Sequence, residues 1–235
     1  MTDLAAAGRW TSRVAASFRA SLGTIVFGMV DGAVSIFGLV AGVSAAGQDA
    51  HTVLIAGATG AAAAAASMAA GAWLDATASR DVAAADIERD RAALERDPAG
   101  TLAAIRERLA SQGAEPASVD VIVALAKRNP EAWASLRRAA GPAAANPPAS
   151  PAAQAAWMFV ADLFAASMPV IPFAFLEVDA ARTASLVVTL AMMTALGWAR
   201  SAITGSPRGR TIAQTLGVTM AAALAGLAIG SIFRP

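Results

Sequence analysis

Three side chains that could bind a cation or carry a proton lie inside long apolar runs of this sequence. Asp31 interrupts VFGMVDGAVSIFGLVAG, Asp162 interrupts AAWMFVADLFAAS, and Met68 lies in a run rich in alanine. An ionised aspartate at the centre of a bilayer costs about 2.5 to 3.5 kcal/mol, so it needs a reason to be there. A cation or proton pathway is the functional interpretation. The alternatives are a protonated aspartate hydrogen-bonded between helices, a helix boundary that lies elsewhere and, for the methionine, ordinary packing.

The three side chains are predicted to lie at a similar depth. Asp31 follows the last arginine before its run by about 18 Å of helix, at 1.5 Å per residue. Asp162 lies eleven residues after Pro151 and Met68 lies twelve before Arg80, which gives similar depths. Spacing does not show whether they face one another. Two small-xxx-small pairs, Gly28 with Gly32 and Gly38 with Gly42, indicate close helix contact beside Asp31, either within the bundle or between two subunits.

Composition indicates that the apolar runs span a membrane. The chain of 235 residues is 57% hydrophobic and 15% charged, with a mean hydropathy of +0.55, and a spanning helix needs about 20 apolar residues. The fold class predicted is an all-α membrane protein with five transmembrane helices. They cover roughly Ser21 to Ala46, Thr52 to Leu74, Ala152 to Leu176, Thr183 to Ala199 and Thr211 to Phe233.

A charged segment separates the second and third runs and predicts a helical insertion. Opposite charges three or four residues apart, such as Asp86 with Arg89 and Arg91 with Glu95, are typical of a solvated helix. Further short helices are predicted up to residue 139, with breaks at Pro98 to Gly100 and at 113–116. The predicted organisation is an amphipathic N-terminal segment (1–20), helices one and two (21–75), the insertion (76–141), a Pro-rich linker (142–151) and helices three to five (152–235).

Loop charges predict the orientation. The sequence has arginines before the first run, through the insertion and before the last run, whereas the loop QDAH has none. By the positive-inside rule the N-terminus and the insertion are cytoplasmic. The Ala- and Arg-rich composition is compatible with a bacterial inner membrane. A net charge of +1 gives no reason to expect a nucleic-acid partner.

Several motifs resemble those of the vacuolar iron transporter family. GMVDGAVSIFGLVAGVSAAG is similar to its first-helix signature, SMAAG at residues 67–71 to its second-helix motif, and ASRDVAAADIERDRAALERDP to the charged segment that follows. PVIP at residues 169–172 and GWARSAITG resemble its third-helix PxxP and its fourth helix. The likeness covers most of the chain in order, with the insertion where the family has it.

The resemblance implies a homodimer of five-helix subunits in the lipid bilayer. It implies export of Fe(II), Mn(II) or similar divalent ions from the cytosol, as substrates rather than cofactors, in exchange for protons. The family's translocation residues map onto Asp31 and Met68. Carboxylate suits Fe(II) and Mn(II), a thioether adds softness, and a carboxylate that releases a metal can accept a proton.

The sequence departs from the family at other acidic positions. Ala72 stands where the second-helix motif has a glutamate, so Asp75 and Asp162 are candidates to replace lost carboxylates. The glutamates of the family's insertion would fall near Ala83, Asp90, Ala93, Thr101 and Ala104, of which only Asp90 is acidic. Glu88, Asp90 and Glu95 are the best remaining ligands there, although ion pairs on a solvated helix already explain them.

Two functions therefore remain open. The first is a divalent-metal and proton exchanger working through Asp31 and Met68. The second is a membrane protein of this family that no longer transports metal and acts as a binding or structural partner through its insertion. An enzyme is not expected, because cysteine is absent, His51 is the only histidine, and no nucleotide or hydrolase motif occurs.

Overall fold

The computed structural model describes residues 2–129, 131 and 149–233, and every regular element in these ranges is helical. Two compact units are formed, one by Met1–Leu74 with Ala149–Pro235 and one by Asp75–Pro148. The helices are α1 (Thr2–Ala20), α2 (Leu22–Ala45), α3 (Ala50–Arg96), α4 (Pro98–Ser111), α5 (Pro116–Arg128), α6 (Pro151–Ser167), a 3-10 helix (Ile171–Ala174), α7 (Val178–Thr204) and α8 (Arg208–Ile232).

Helix α2 lies at the centre of the larger unit, in contact with α6, α7 and α8. Its buried residues recur every three or four positions, as expected of a helix that packs on several sides. Ile36 and Val40 of α2 join Val53 of α3 and Phe173 of the 3-10 helix in one core cluster. Ala33 belongs to a second cluster with Ala165 of α6 and Met193 of α7. The segment that carries Asp31 is therefore held from several sides.

Four described helices, α2, α3, α7 and α8, are long and apolar enough to cross a membrane. They correspond to the first, second, fourth and fifth predicted spans. The third predicted span is not one continuous helix, because α6 ends at Ser167 and a turn and the 3-10 helix follow. Pro169 and Pro172 explain this end, since proline lacks an N–H and clashes with the carbonyl four residues earlier. With 17 residues, α6 is about 25 Å long.

Local signals set the ends of several helices. Ser150 Oγ accepts a hydrogen bond from Ala153 N (3.1 Å) at the start of α6, directly before Pro151. Asp49 Oδ1 accepts one from Thr52 N (2.7 Å) at the start of α3. The hydrogen bonds from Thr52 lower the pKa of the Asp49 carboxyl below its ordinary value.

The C-terminal end of α1 is attached to α6. Trp157 Nε1 donates a hydrogen bond to Ser17 Oγ (3.1 Å), and the Trp157 and Phe18 rings meet edge to face at 5.2 Å. A break at Ser21 separates α1 from α2. The predicted N-terminal segment is thus a helix of its own.

The smaller unit contains the end of α3 with α4 and α5. The predicted ion pairs are confirmed, with Asp86–Arg89 at 2.6 Å and Arg91–Glu95 at 3.1 Å. The expected break near Pro98 is also confirmed, but Gly100 lies inside α4, where its N–H donates to Asp97 Oδ1. The predicted helix 131–139 beyond its first residue and most of the linker 142–151 lie outside the described residues.

The second span and the charged segment after it form one helix, since α3 is continuous for 47 residues. The sequence around Asp75 is rich in alanine and contains no glycine or proline between residues 72 and 97. A change from apolar to charged side chains alters what a helix faces but does not end it.

Candidate metal centre

The centre of the candidate site is a buried carboxylate on α6. Asp162 has no exposed surface. Among the described residues neither of its carboxylate oxygens has a hydrogen-bond partner. Leaving a buried acceptor unpaired costs about 1 to 3 kcal/mol, and more for a charged group. Such a group does not stabilise the fold, which makes it a candidate for binding a cation or a proton.

Glycines of α2 make the space for this carboxylate. A Cβ at Gly32 would lie 2.5 Å from the Asp162 carbonyl oxygen and 2.8 Å from its Oδ1. At Gly28, one turn earlier, a Cβ would lie 2.7 Å from Met158 Sδ. Met158 and Asp162 are four residues apart on α6, so they share one face of the helix. The close contact between α2 and α6 thus brings a thioether and a carboxylate against the backbone of α2.

Asp31 lies beside this contact. It directly precedes Gly32, its side chain is half-buried, and it is close enough to Asp162 for the two carboxylates to interact electrostatically. Two neighbouring carboxylates in a poorly hydrated place repel one another, and a cation or a shared proton relieves this repulsion. The structure therefore brings together two of the residues that the sequence only placed at similar depth.

The other predicted ligands all lie on α3. Met68 is half-buried on α3, whereas Asp75 is exposed and belongs to the smaller unit. Glu88 is exposed, Glu95 is engaged with Arg91, and the side chain of Asp90 lies outside the described part. Within that part, no three side chains from histidine, cysteine, aspartate and glutamate come together.

The glycine pairs of α2 are both used within the chain. Gly28 and Gly32 face α6, while Gly38 and Gly42 face Ala222 and Gly226 of α8. The close helix contact that the spacing predicted is confirmed inside the bundle. The glycine spacing consequently gives no separate support for a homodimer.

Met158 is the site residue that the sequence reasoning missed. Its buried side chain, 5% exposed, lies one helical turn before Asp162, and the facing glycines of α2 are also four residues apart. This shared spacing of four residues is the sequence pattern that matches one face of α6 to one face of α2. Within an apolar run, a methionine cannot be told from other residues that pack in the core. The shared four-residue spacing therefore indicates a site only once α2 and α6 are known to be in contact.

The fold and the buried carboxylate are those of an integral membrane protein with acidic side chains among its apolar helices. Residues 22–231 match the model of the VIT family, and the chain belongs to that family. It is 30% identical to vacuolar iron transporter 1 of Eucalyptus grandis over 208 residues, which cover 87% of this chain and 84% of the relative. It is 29% identical to vacuolar iron transporter 1 of Arabidopsis thaliana, over 89% and 85% of the two chains. The resemblance stated from the motifs is thereby confirmed. The family is one of transporters, in agreement with the expectation that the chain is not an enzyme.

Proposed function

We propose that this protein transports divalent metal ions such as Fe(II) or Mn(II) out of the cytosol in exchange for protons. The observation that carries the proposal is the buried, unpaired carboxylate of Asp162 beside Asp31. Carboxylate oxygen is a suitable ligand for both ions. Two carboxylates that give up a divalent ion can take protons in its place, which couples the two movements.

Asp31 and Asp162 have separate roles in this proposal. Half-buried Asp31 receives the ion, and fully buried Asp162 completes its coordination between α2 and α6. Met68 and Asp75 of α3 serve as further ligands along the route. The family relatives named as iron transporters support the choice of cargo.

The arrangement in the membrane is also part of the proposal. Five helices span the membrane in this proposal, with α6 as the third, and the loop charges favour a cytoplasmic N-terminus and insertion. The 17 residues of α6 are within the range of lengths of spanning helices. A homodimer rests on the family resemblance. A bacterial inner membrane rests on composition alone, since the relatives named above are plant proteins described as vacuolar.

One observation favours the second function, a family member that binds a partner without transporting metal. Of the positions where the family has glutamates in the insertion, only Asp90 is acidic here, and Glu95 is already paired with Arg91. Glu88 and Asp90 then lack the additional carboxylate ligands that a metal site in the insertion needs. On this alternative the exposed helices of the insertion contact another macromolecule.

Ion flux into proteoliposomes under a pH gradient tests the proposal. The wild type should move Fe(II) and Mn(II), and Asp31→Ala and Asp162→Asn should each lose at least about tenfold, the equivalent of about 1.4 kcal/mol. Asp81→Asn, at an exposed position of α3, is the matched control and should keep full flux. Equal flux in the wild type and Asp31→Ala would reject the mechanism. Absence of flux in all proteins would favour the alternative.

A further inference from the structure

The side chain of Met158 lies one helical turn before the unpaired carboxylate, on the same face of α6. It is buried on α6, four residues before Asp162, with Sδ over Gly28 of α2. Glycine at residue 28 leaves room for the sulfur, just as glycine at residue 32 leaves room for Asp162. The thioether and the Asp162 carboxylate thus lie one turn apart against α2, and Asp31 is close enough to Asp162 to interact with it electrostatically.

This combination of ligands has a definite preference among cations. Thioether sulfur is a soft ligand that adds little to the binding of Mg²⁺, Ca²⁺ or Mn²⁺, whereas it strengthens the binding of softer ions. Carboxylates alone bind hard divalent ions well. A site with both types therefore shifts its preference from hard ions towards borderline and soft divalent ions.

We propose that Met158 contributes a thioether ligand to the transported ion and makes the site between α2 and α6 favour softer divalent cations over Mn(II). The inference rests on the proposed function and names the residue that sets its selectivity. A methionine that serves only for packing would be replaced by leucine without a change in ion preference, because the two side chains have similar volume. This difference separates the two interpretations.

Competition between Cd(II) and Mn(II) in proteoliposomes provides the test. In Met158→Leu the ratio of Cd(II) to Mn(II) flux should fall about tenfold, the equivalent of about 1.4 kcal/mol. Met158→Cys should keep the preference for Cd(II), since it restores a sulfur in a chain that has no other cysteine. Met220→Leu, at an exposed methionine of α8, is the matched control and should leave the ratio unchanged.

Several outcomes would overturn the inference. One is an unchanged flux ratio in Met158→Leu, and another is an equal loss of both ions, which would mean a packing role. Cadmium NMR of the wild-type protein in detergent does not depend on any variant folding. A resonance in the range of all-oxygen coordination would reject the thioether ligand, and one displaced towards sulfur coordination would support it. Wild-type protein without any divalent flux would instead reject the proposed function, and this inference with it.

Discussion

At the scale of single residues, the site depends on the absence of a side chain at Gly32 of α2 as much as on the carboxylate of Asp162 in α6. Asp162 can be buried at the contact because Gly32 has no side chain. A larger residue there would push the α6 backbone away and open the space around both carboxylates. The glycine is therefore part of the geometry that holds Asp162 near Asp31.

Gly32→Ala should destabilise the protein and reduce transport. The new Cβ would lie 2.5 Å from the Asp162 carbonyl oxygen, a backbone atom that cannot turn aside. Overpacking of this kind costs about 1 to 3 kcal/mol. The free energy of unfolding in detergent, measured with a chemical denaturant, checks the first effect, and metal flux checks the second.

Gly23→Ala is the matched control for this prediction. Gly23 lies in the same helix, and a Cβ there would meet nothing within 4 Å. Since alanine is the better helix former, this change should be neutral or stabilise by up to about 1 kcal/mol. Equal stability of the two variants would contradict the close contact between α2 and α6.

Sequence reasoning reached part of this site. Asp31 and Asp162 stand out because a carboxylate in an apolar run is costly wherever it faces. Their proximity could not be predicted, because spacing along two helices does not show how either helix is rotated about its own axis. Met158 was missed for the same reason, since a methionine is conspicuous only next to the carboxylate that it faces.

At the scale of elements, a side chain from α7 contacts the backbone of the turn after α6. Ser185 Oγ donates a hydrogen bond to the Pro169 carbonyl (2.7 Å) in a buried position. This carbonyl belongs to the turn between α6 and the 3-10 helix, outside the regular hydrogen bonds of either helix. The serine thus satisfies a backbone acceptor that the proline-induced end of α6 exposes.

Ser185→Ala should therefore lower the free energy of unfolding by about 1 to 3 kcal/mol, because it leaves a buried acceptor unpaired. Thermal or chemical unfolding in detergent measures the change. Ser231→Ala in α8 is the matched control, since its exposed hydroxyl donates only to the Ala228 carbonyl of its own helix. An equal loss of unfolding free energy in the control would mean that the hydrogen bond from Ser185 to the Pro169 carbonyl makes no particular contribution to stability.

Hydropathy predicted the elements unevenly, for reasons that particular residues show. The first, fourth and fifth runs correspond to α2, α7 and α8 because each is predominantly apolar and contains no proline. The third run was drawn through to Leu176, since an apolar average does not register the missing N–H of Pro169. Hydropathy does not address the continuity of α3 past Asp75, because a change from apolar to charged side chains does not by itself end a helix.

At the scale of the whole molecule, the orientation in the membrane can be tested with introduced cysteines. The parent chain has none, so each single substitution gives one reactive position. Gln48→Cys lies in the exposed loop between α2 and α3, and Ser111→Cys lies at the exposed end of α4. Both positions are polar and distant from the candidate site in sequence.

We expect a membrane-impermeant maleimide to reach the two cysteines from opposite sides. Positive-inside charge places Ser111→Cys on the cytoplasmic side and Gln48→Cys on the other. Labelling of inside-out and right-side-out vesicles, with the cysteine-free parent as control, measures this. Labelling of both positions from one side would reject the predicted orientation.

The unpaired carboxylate of Asp162 also has a consequence for how long the protein lasts in the cell. A ligand that binds only the folded chain stabilises it, by about 2.7 kcal/mol when its concentration is a hundred times the dissociation constant. Under the proposed function the cargo is such a ligand, because the unfolded chain does not keep Asp31 and Asp162 together. Quality-control proteases degrade the unfolded population. Abundance of the transporter would then follow the supply of metal without any change in gene expression.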